Sequence, residues 1–184
     1  MNHELPVNVT ICQSVLDQKN MQTAMLSFCE MGVNYIVPVK TERMLPRHTG
    51  IDNAETVRRW RNDAKVFMRN SLRKIAPIVY EPIPFADAVA KAKNYDVVIL
   101  CYENEHDSLC TAKAIAECKD AKSVLVFIGP ERGFTPEEVE LAKNAGAHIV
   151  SLGNRIIRAC NAGAIFMGML VYALELDGDK PPSP

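Results

Sequence analysis

The stretch Val124-Leu125-Val126-Phe127-Ile128-Gly129-Pro130-Glu131-Arg132-Gly133-Phe134-Thr135-Pro136-Glu137-Glu138 passes from a continuous apolar run, through a glycine turn, into a strong helix start. An unbroken run rich in β-branched and aromatic residues suits a strand covered on both faces of a parallel sheet. Glycines at its end let bare backbone approach a bound molecule, because no Cβ intervenes and positive φ becomes available. Thr135 offers a hydroxyl cap, Pro136 a preset first helical φ, and Glu137 and Glu138 charges that favour a helix N-terminus. A second unit follows, with a strand at 148–152, a turn at Leu152-Gly153-Asn154-Arg155-Ile156-Ile157-Arg158 and a closing helix at 159–176.

Working outward, residues 7–15 and 35–39 read as strands, the second closed by Pro38, with a helix at 19–31 ended by Gly32. The longest helical pattern, 53–75, buries Val57, Trp60, Ala64, Phe67, Met68, Leu72 and Ile75 at three- and four-residue steps until Pro77 breaks it. A short strand at 78–80, a helix from Pro84 to 94, a buried strand at 97–101 and a helix capped by Ser108 complete the chain. Alternating strands and helices predict an α/β fold with a mostly parallel sheet and helices on both faces. With 184 residues, 48% of them hydrophobic, the chain is long enough for one proper core, placed at 1–176. Residues 177–184, with Gly178 and three prolines, are expected to be a disordered tail.

A formal net charge of −1 gives the whole chain no electrostatic case for a polyanion, yet between 40 and 74 ten Lys/Arg face four acids. Arg58, Arg61, Lys65, Arg69 and Arg73 line one side of the long helix as a basic ridge, which reads either as a solvated face or as a nucleic-acid surface. Six cysteines without Cys-x-x-Cys spacing fit buried thiols in a reducing cytoplasm, and neither they nor the four histidines suggest a metal. The N-terminus lacks signal-peptide character. The apolar run at 162–174 reads as a core helix rather than a membrane span.

Ligands of open parallel sheets settle at the carboxyl ends of strands. Three adjacent strand ends, at 101–103, 129–134 and 152–158, can therefore wall one ligand or serve only as turns. Phosphate-loop and dinucleotide fingerprints are both absent. Arg155 and Arg158, three residues apart, share one helix face and can grip a phosphate or polarise a carbonyl, with surface ion pairing as the alternative.

The combination Ile128-Gly129-Pro130-Glu131-x-Gly133-Phe134-x-x-Glu137-Glu138 with Leu152-Gly153-x-Arg155-Ile156-Ile157-Arg158 closely resembles the RsmE family of SPOUT methyltransferases. Lys19-Asn20, Glu30-Met31-Gly32-Val33, Pro38, Thr41-Glu42-Arg43 and Trp60 extend the resemblance over residues 5–176. The resemblance implies a homodimeric, cytoplasmic, metal-independent enzyme of ribosome biogenesis, with a C-terminal trefoil knot. It would transfer a methyl group from S-adenosylmethionine to N3 of a uridine in small-subunit (16S) ribosomal RNA. The implied cofactor cleft comprises Leu100, Cys101, Tyr102 and Glu103; Ile128, Gly129, Pro130, Glu131 and Gly133; and Leu152, Gly153, Ile156 and Ile157. Arg155 and Arg158 take the catalytic role, and Arg43 joins the ridge residues Arg58, Arg61, Lys65, Arg69 and Arg73 as RNA contacts. The last helix would form the dimer interface.

The chain departs from the family pattern at Arg132, where a glycine is usual, at Ala159-Cys160-Asn161, and at Arg69-Asn70. Family members carry an N-terminal β-rich RNA-binding domain, and this chain begins where that domain would end. A second reading is a non-catalytic relative that binds RNA or a ribosome precursor.

Overall fold

A computed structural model describes residues 3–48, 50, 53–105 and 107–177. The apolar runs form seven strands, β1 (Asn8–Ser14), β2 (Tyr35–Lys40), β3 (Ile78–Val79), β4 (Ile83–Pro84), β5 (Val97–Cys101), β6 (Ser123–Ile128) and β7 (His148–Val150). They lie in one sheet in the order β3-β2-β1-β6-β5-β7, with β4 pairing β2, and every pairing is parallel. Between them run α1 (Gln18–Glu30), α2 (Ala54–Asn70), α3 (Phe85–Val89), α4 (Ser108–Glu117), α5 (Pro136–Asn144) and α6 (Ala159–Val171), the last extended by a π-helical turn over Tyr172–Leu176. This is the expected α/β architecture with helices on both faces.

Strand alternation divides the core in two. Val9, Ile11, Ile99, Val126 and Ile128 point to the face covered by Met25 and Phe28 of α1, Trp60 of α2, Ala114 of α4 and Phe166 of α6. Val98, Leu100, Leu125 and Phe127 point the other way, against Phe85 of α3 and Ala142 of α5. Helix α6 comes close enough to α1 that a Cβ on Gly163 would overlap the Phe28 ring. The segment Ala159–Leu176 has the length and apolarity of a membrane span, but Cys160, Phe166, Met167, Leu170 and Leu174 belong to this core.

Three local expectations change. Strand β2 continues past Pro38 to Lys40: β3 pairs with Tyr35 and Ile36 and β4 with Val39 and Lys40, so the proline, lacking N–H, sits at the break between them. The cap of α4 is Asp107, whose carboxylate accepts from the Leu109 and Cys110 N–H groups, while Ser108 is the first helical residue. Helix α2 stops at Asn70, well short of Pro77. Leu72 takes a left-handed φ of 60°, which leaves it and Ile75 exposed. The anticipated tail lies, apart from Asp177, outside the described residues.

The early end of α2 has a cause. Arg73 turns inward, donating from Nη1 to the Cys29 and Val33 carbonyls at 2.9 and 3.0 Å and from Nη2 to Glu4 Oε2 at 2.6 Å. Its side chain is 1% exposed, so it is no part of a basic surface and the expected RNA contact is withdrawn. Burial pushes the Glu4 carboxyl up. The Arg73 hydrogen bond and charge, with the Ile75 and Lys74 N–H groups, outweigh that and hold it below the usual range. A depressed folded pKa contributes stability that is present above the unfolded value and lost as pH falls through the folded one. Arg73→Met should therefore cost about 2 kcal/mol at neutral pH, since two carbonyls lose a charged donor while Glu4 can rehydrate. The variant should also lose less stability than the parent as pH drops below the ordinary carboxylate range. Urea unfolding at a series of pH values checks both, and parallel pH profiles would contradict the assignment.

Candidate functional site

Parallel strands end on a common side, and β1, β5 and β6 end level: Gln13 and Cys101 both pair with Ile128. The loops leaving these strand ends, together with the loop after β7, enclose a cavity of about 400 Å³. Each loop is held by its own bonds. Gly133 N–H donates to the Pro130 carbonyl at 3.0 Å and closes the 130–133 turn, while Tyr102 N–H donates to Val150 at 2.9 Å and ties the β5 loop to β7. The Thr111 hydroxyl donates to the Ser151 carbonyl and accepts from the Ser151 N–H, fixing the last loop to α4. Helix α5 carries the expected Thr135 cap, and the Glu138 side chain, accepting from the Thr135 N–H, completes a capping box.

Cys101, Tyr102, Glu103, Ile128, Gly129, Pro130, Glu131, Gly133, Leu152, Gly153, Ile156 and Ile157 all line this cavity, as do Arg155 and Arg158. Leu100 does not. It is fully buried and, one residue before Cys101, faces the opposite side of the sheet. Arg132, within the expected 129–134 wall, lines the cavity too, and so do Leu16, Asn20, Ala159, Cys160 and Ala162, which lie outside the three expected strand ends.

Gly133 adopts φ +69°, and a Cβ there would overlap the Glu103 carboxylate. Gly153 adopts φ +100°. The wall thus combines bare backbone, apolar side chains, the carboxylates of Glu103 and Glu131, and the guanidinium groups of Arg132, Arg155 and Arg158. Arg155 and Arg158 are exposed, and Arg158 is the N-cap residue of α6 without a side-chain cap bond. Burial pushes the Cys101 thiol far up, so it stays protonated at neutral pH and offers no nucleophile. Such a lining takes a ligand with a flat apolar part and a charged part.

His48, given no role by its sequence context, is fully buried with Nε2 3.7 Å from Glu131 Oε1. Asp17, His48 and Glu131 bring their ligand atoms within 4.8 Å of one another, as a metal would require. Arg47 Nε donates to His48 Nε2 at 3.3 Å, so a guanidinium already supplies positive charge there.

On α2, Arg58, Arg61, Lys65 and Arg69 are exposed, although Arg61 also donates to the Val79 carbonyl and pairs with Glu81 at 2.9 Å. Arg43 lies apart from them. Its Nη1 donates to the Phe134 and Arg132 carbonyls at 3.2 and 3.4 Å.

The family model described as RNA methyltransferase domain matches residues 3–171. The ribosomal RNA small subunit methyltransferase E of Mesomycoplasma hyopneumoniae is 27% identical over 166 residues, which are 90% of this chain and 70% of that protein. The protein of the same description from Synechocystis is 25% identical over 173 residues, 94% of this chain and 56% of its own length. Among solved structures, a ribosomal RNA small subunit methyltransferase E from Neisseria gonorrhoeae, bound to S-adenosyl methionine, has a TM-score of 0.81 at 25% identity over 93% of this chain and 68% of that one. The chain therefore spans between 56 and 70% of the length of these relatives.

Proposed function

This chain belongs to the RNA methyltransferase domain family, and from that premise we propose that it transfers a methyl group from S-adenosylmethionine to N3 of a uridine in small-subunit (16S) ribosomal RNA. The observation that carries the proposal is the cavity itself: four strand-end loops enclose it, Gly133 is pressed against the Glu103 carboxylate, and Arg155 and Arg158 are among the residues that line it. The residues suit the donor. Backbone laid bare at Gly129, Gly133 and Gly153 admits close contact with adenine and methionine, Ile128, Leu152 and Ile157 offer apolar cover, and Glu103 and Glu131 offer negative charge to a cation.

When bound, the donor supplies an electrophilic methyl carbon on a sulfonium. The protein has to hold the uracil ring in line with that carbon and favour loss of the N3 proton. Arg155 and Arg158 form no ion pair among the described residues, so both guanidinium groups are available to the uracil carbonyl oxygens, where charge develops as N3–H is lost. The exposed Arg58, Lys65 and Arg69 of α2 would hold the RNA backbone.

The resemblance also supports a trefoil knot and a homodimer. For the knot, support comes from the sheet order, with β5 between β6 and β7, and from the return of α6 from the β7 edge to α1. An experimental trace of residues 97–160 decides it. For the dimer, support comes from a second, largely apolar hollow between α4 and α6 with Ile165 and Tyr172 exposed beside it, and light scattering at twice the 20.4 kDa chain mass checks it. A cytoplasmic location fits the six free thiols.

Calorimetric titration with S-adenosylmethionine should give one site per chain, and the ligand should raise the midpoint of thermal unfolding. Radiolabelled methyl should appear on 16S RNA or small subunits and map to uridine N3. Absence of binding at millimolar donor would remove the proposal. Binding without transfer would favour the non-catalytic reading, to which the departures at Arg132 and Ala159 on the cavity wall already lend weight.

A further inference from the structure

The segment between β2 and α2 is attached to the cavity loop at several points. Its first residue, Thr41, shares a 2.7 Å hydroxyl hydrogen bond with Ser14 at the end of β1. Glu42 N–H donates to Glu138 Oε1 at 2.9 Å, while Glu138 Oε2 accepts from Thr135 N–H at 2.9 Å, so one buried carboxylate joins the segment to the start of α5. Arg43 Nη1 reaches the carbonyls of Arg132 and Phe134, and His48 stands against Glu131. Thus the segment touches both flanks of the 129–134 loop, about ninety residues away in sequence.

That loop needs an external hold. Among the described residues its own backbone closure is the Gly133 to Pro130 hydrogen bond, and it contains two glycines, which lose more conformational freedom on ordering than other residues. The Arg132 and Phe134 carbonyls flank Gly133, the residue pressed against Glu103 on the cavity wall. A guanidinium shared by those two carbonyls fixes the orientation of the Arg132–Gly133 and Phe134–Thr135 peptide units, on either side of the Gly133–Phe134 unit, through hydrogen bonds from a charged donor.

We propose that Arg43 is a positioning residue for the cofactor loop, acting on the bound donor through the Arg132 and Phe134 carbonyls rather than contacting RNA. The proposal rests on the reading of this cavity as the S-adenosylmethionine site, and the test separates the two. The parent protein, Arg43→Ala and Arg43→Lys are compared by donor calorimetry, by hydrogen exchange of the peptide covering residues 129–135, and by RNA affinity at fixed salt. Arg43→Ala should bind the donor roughly tenfold more weakly and exchange faster in that peptide, with RNA affinity within about twofold of the parent. Arg43→Lys should recover part of both, because an ammonium still offers donors to the two carbonyls. Unchanged exchange in the loop peptide, or weaker RNA binding with unaltered donor affinity, would overturn the assignment. Should the parent bind no donor, the methyltransferase reading fails, while faster loop exchange in Arg43→Ala would still establish the clamp. If the alanine variant does not fold, a lysine variant with the parent's loop exchange and donor affinity supports a hold by any cation, and one that loses RNA affinity alone refutes it.

Discussion

Gly133→Ala should weaken S-adenosylmethionine binding by at least about a hundredfold, close to 2.8 kcal/mol. Two costs combine. At φ +69° an L-residue is held in the left-handed region, which costs on the order of 1–2 kcal/mol relative to glycine. The added methyl would also meet the Glu103 carboxyl carbon at 2.7 Å, too close for either group to stay. Glu103, an exposed side chain, must then move its carboxylate aside, or the 130–133 turn must open and carry its wall outward. The first removes a carboxylate from its place on the cavity wall, and the second moves the backbone that borders the ligand. Calorimetry on Gly133→Ala measures the total, and Gly133→Ala combined with Glu103→Ala divides it. Removing the carboxylate should restore roughly tenfold and leave the backbone cost. Parent-like affinity in the single variant would mean that the loop does not touch the ligand.

Much of this was legible in sequence because the relevant signals are local. A run such as Val124 to Ile128, rich in β-branched residues and closed by a glycine turn, suits a covered strand, and Thr135-Pro136-Glu137-Glu138 writes a helix start into four consecutive residues. Three strand ends named from glycine and apolar spacing do meet around one cavity. What escaped was set by distance in sequence or by alternation along a strand. Leu16 and Asn20 reach the cavity because β1 pairs with β6 and ends level with it, a fact of sheet order that no spacing within residues 7–20 carries. Leu100 follows from period two: counted back from Cys101, it must face the other side. Arg73 looked like one more step of a basic stripe. Its partners, Glu4 and the carbonyls of Cys29 and Val33, lie at least forty residues away, and they decide its burial. The hydrogen bonds of Arg43 run to carbonyls of the loop after β6, about ninety residues away, which no local spacing around 41–43 carries.

Replacing both Arg155 and Arg158 with alanine should lower the rate of methyl transfer by about a thousandfold or more while donor affinity stays within a few-fold. The separation follows from where charge appears. Before reaction the uracil is neutral, and an arginine near its carbonyl oxygens gains one ordinary hydrogen bond. As the N3 proton leaves, negative charge spreads onto those oxygens, and an arginine already in place stabilises it without reorganisation. Removing one such donor typically costs a hundred- to thousandfold in other active sites, so two acting on one anion are expected to cost more than either alone. On the proposed reading the donor would be walled mainly by backbone and apolar groups at Gly129, Gly133, Leu152 and Ile157, which line the cavity and which the substitutions leave intact. Both side chains are exposed and unpaired among the described residues, so their truncation should move folding stability by less than about 0.5 kcal/mol. Single-turnover transfer at saturating donor, beside calorimetry on the same preparation, reads the two effects separately. A retained rate would take the arginines out of the chemistry, and a parallel loss of donor affinity would make them ligand contacts instead.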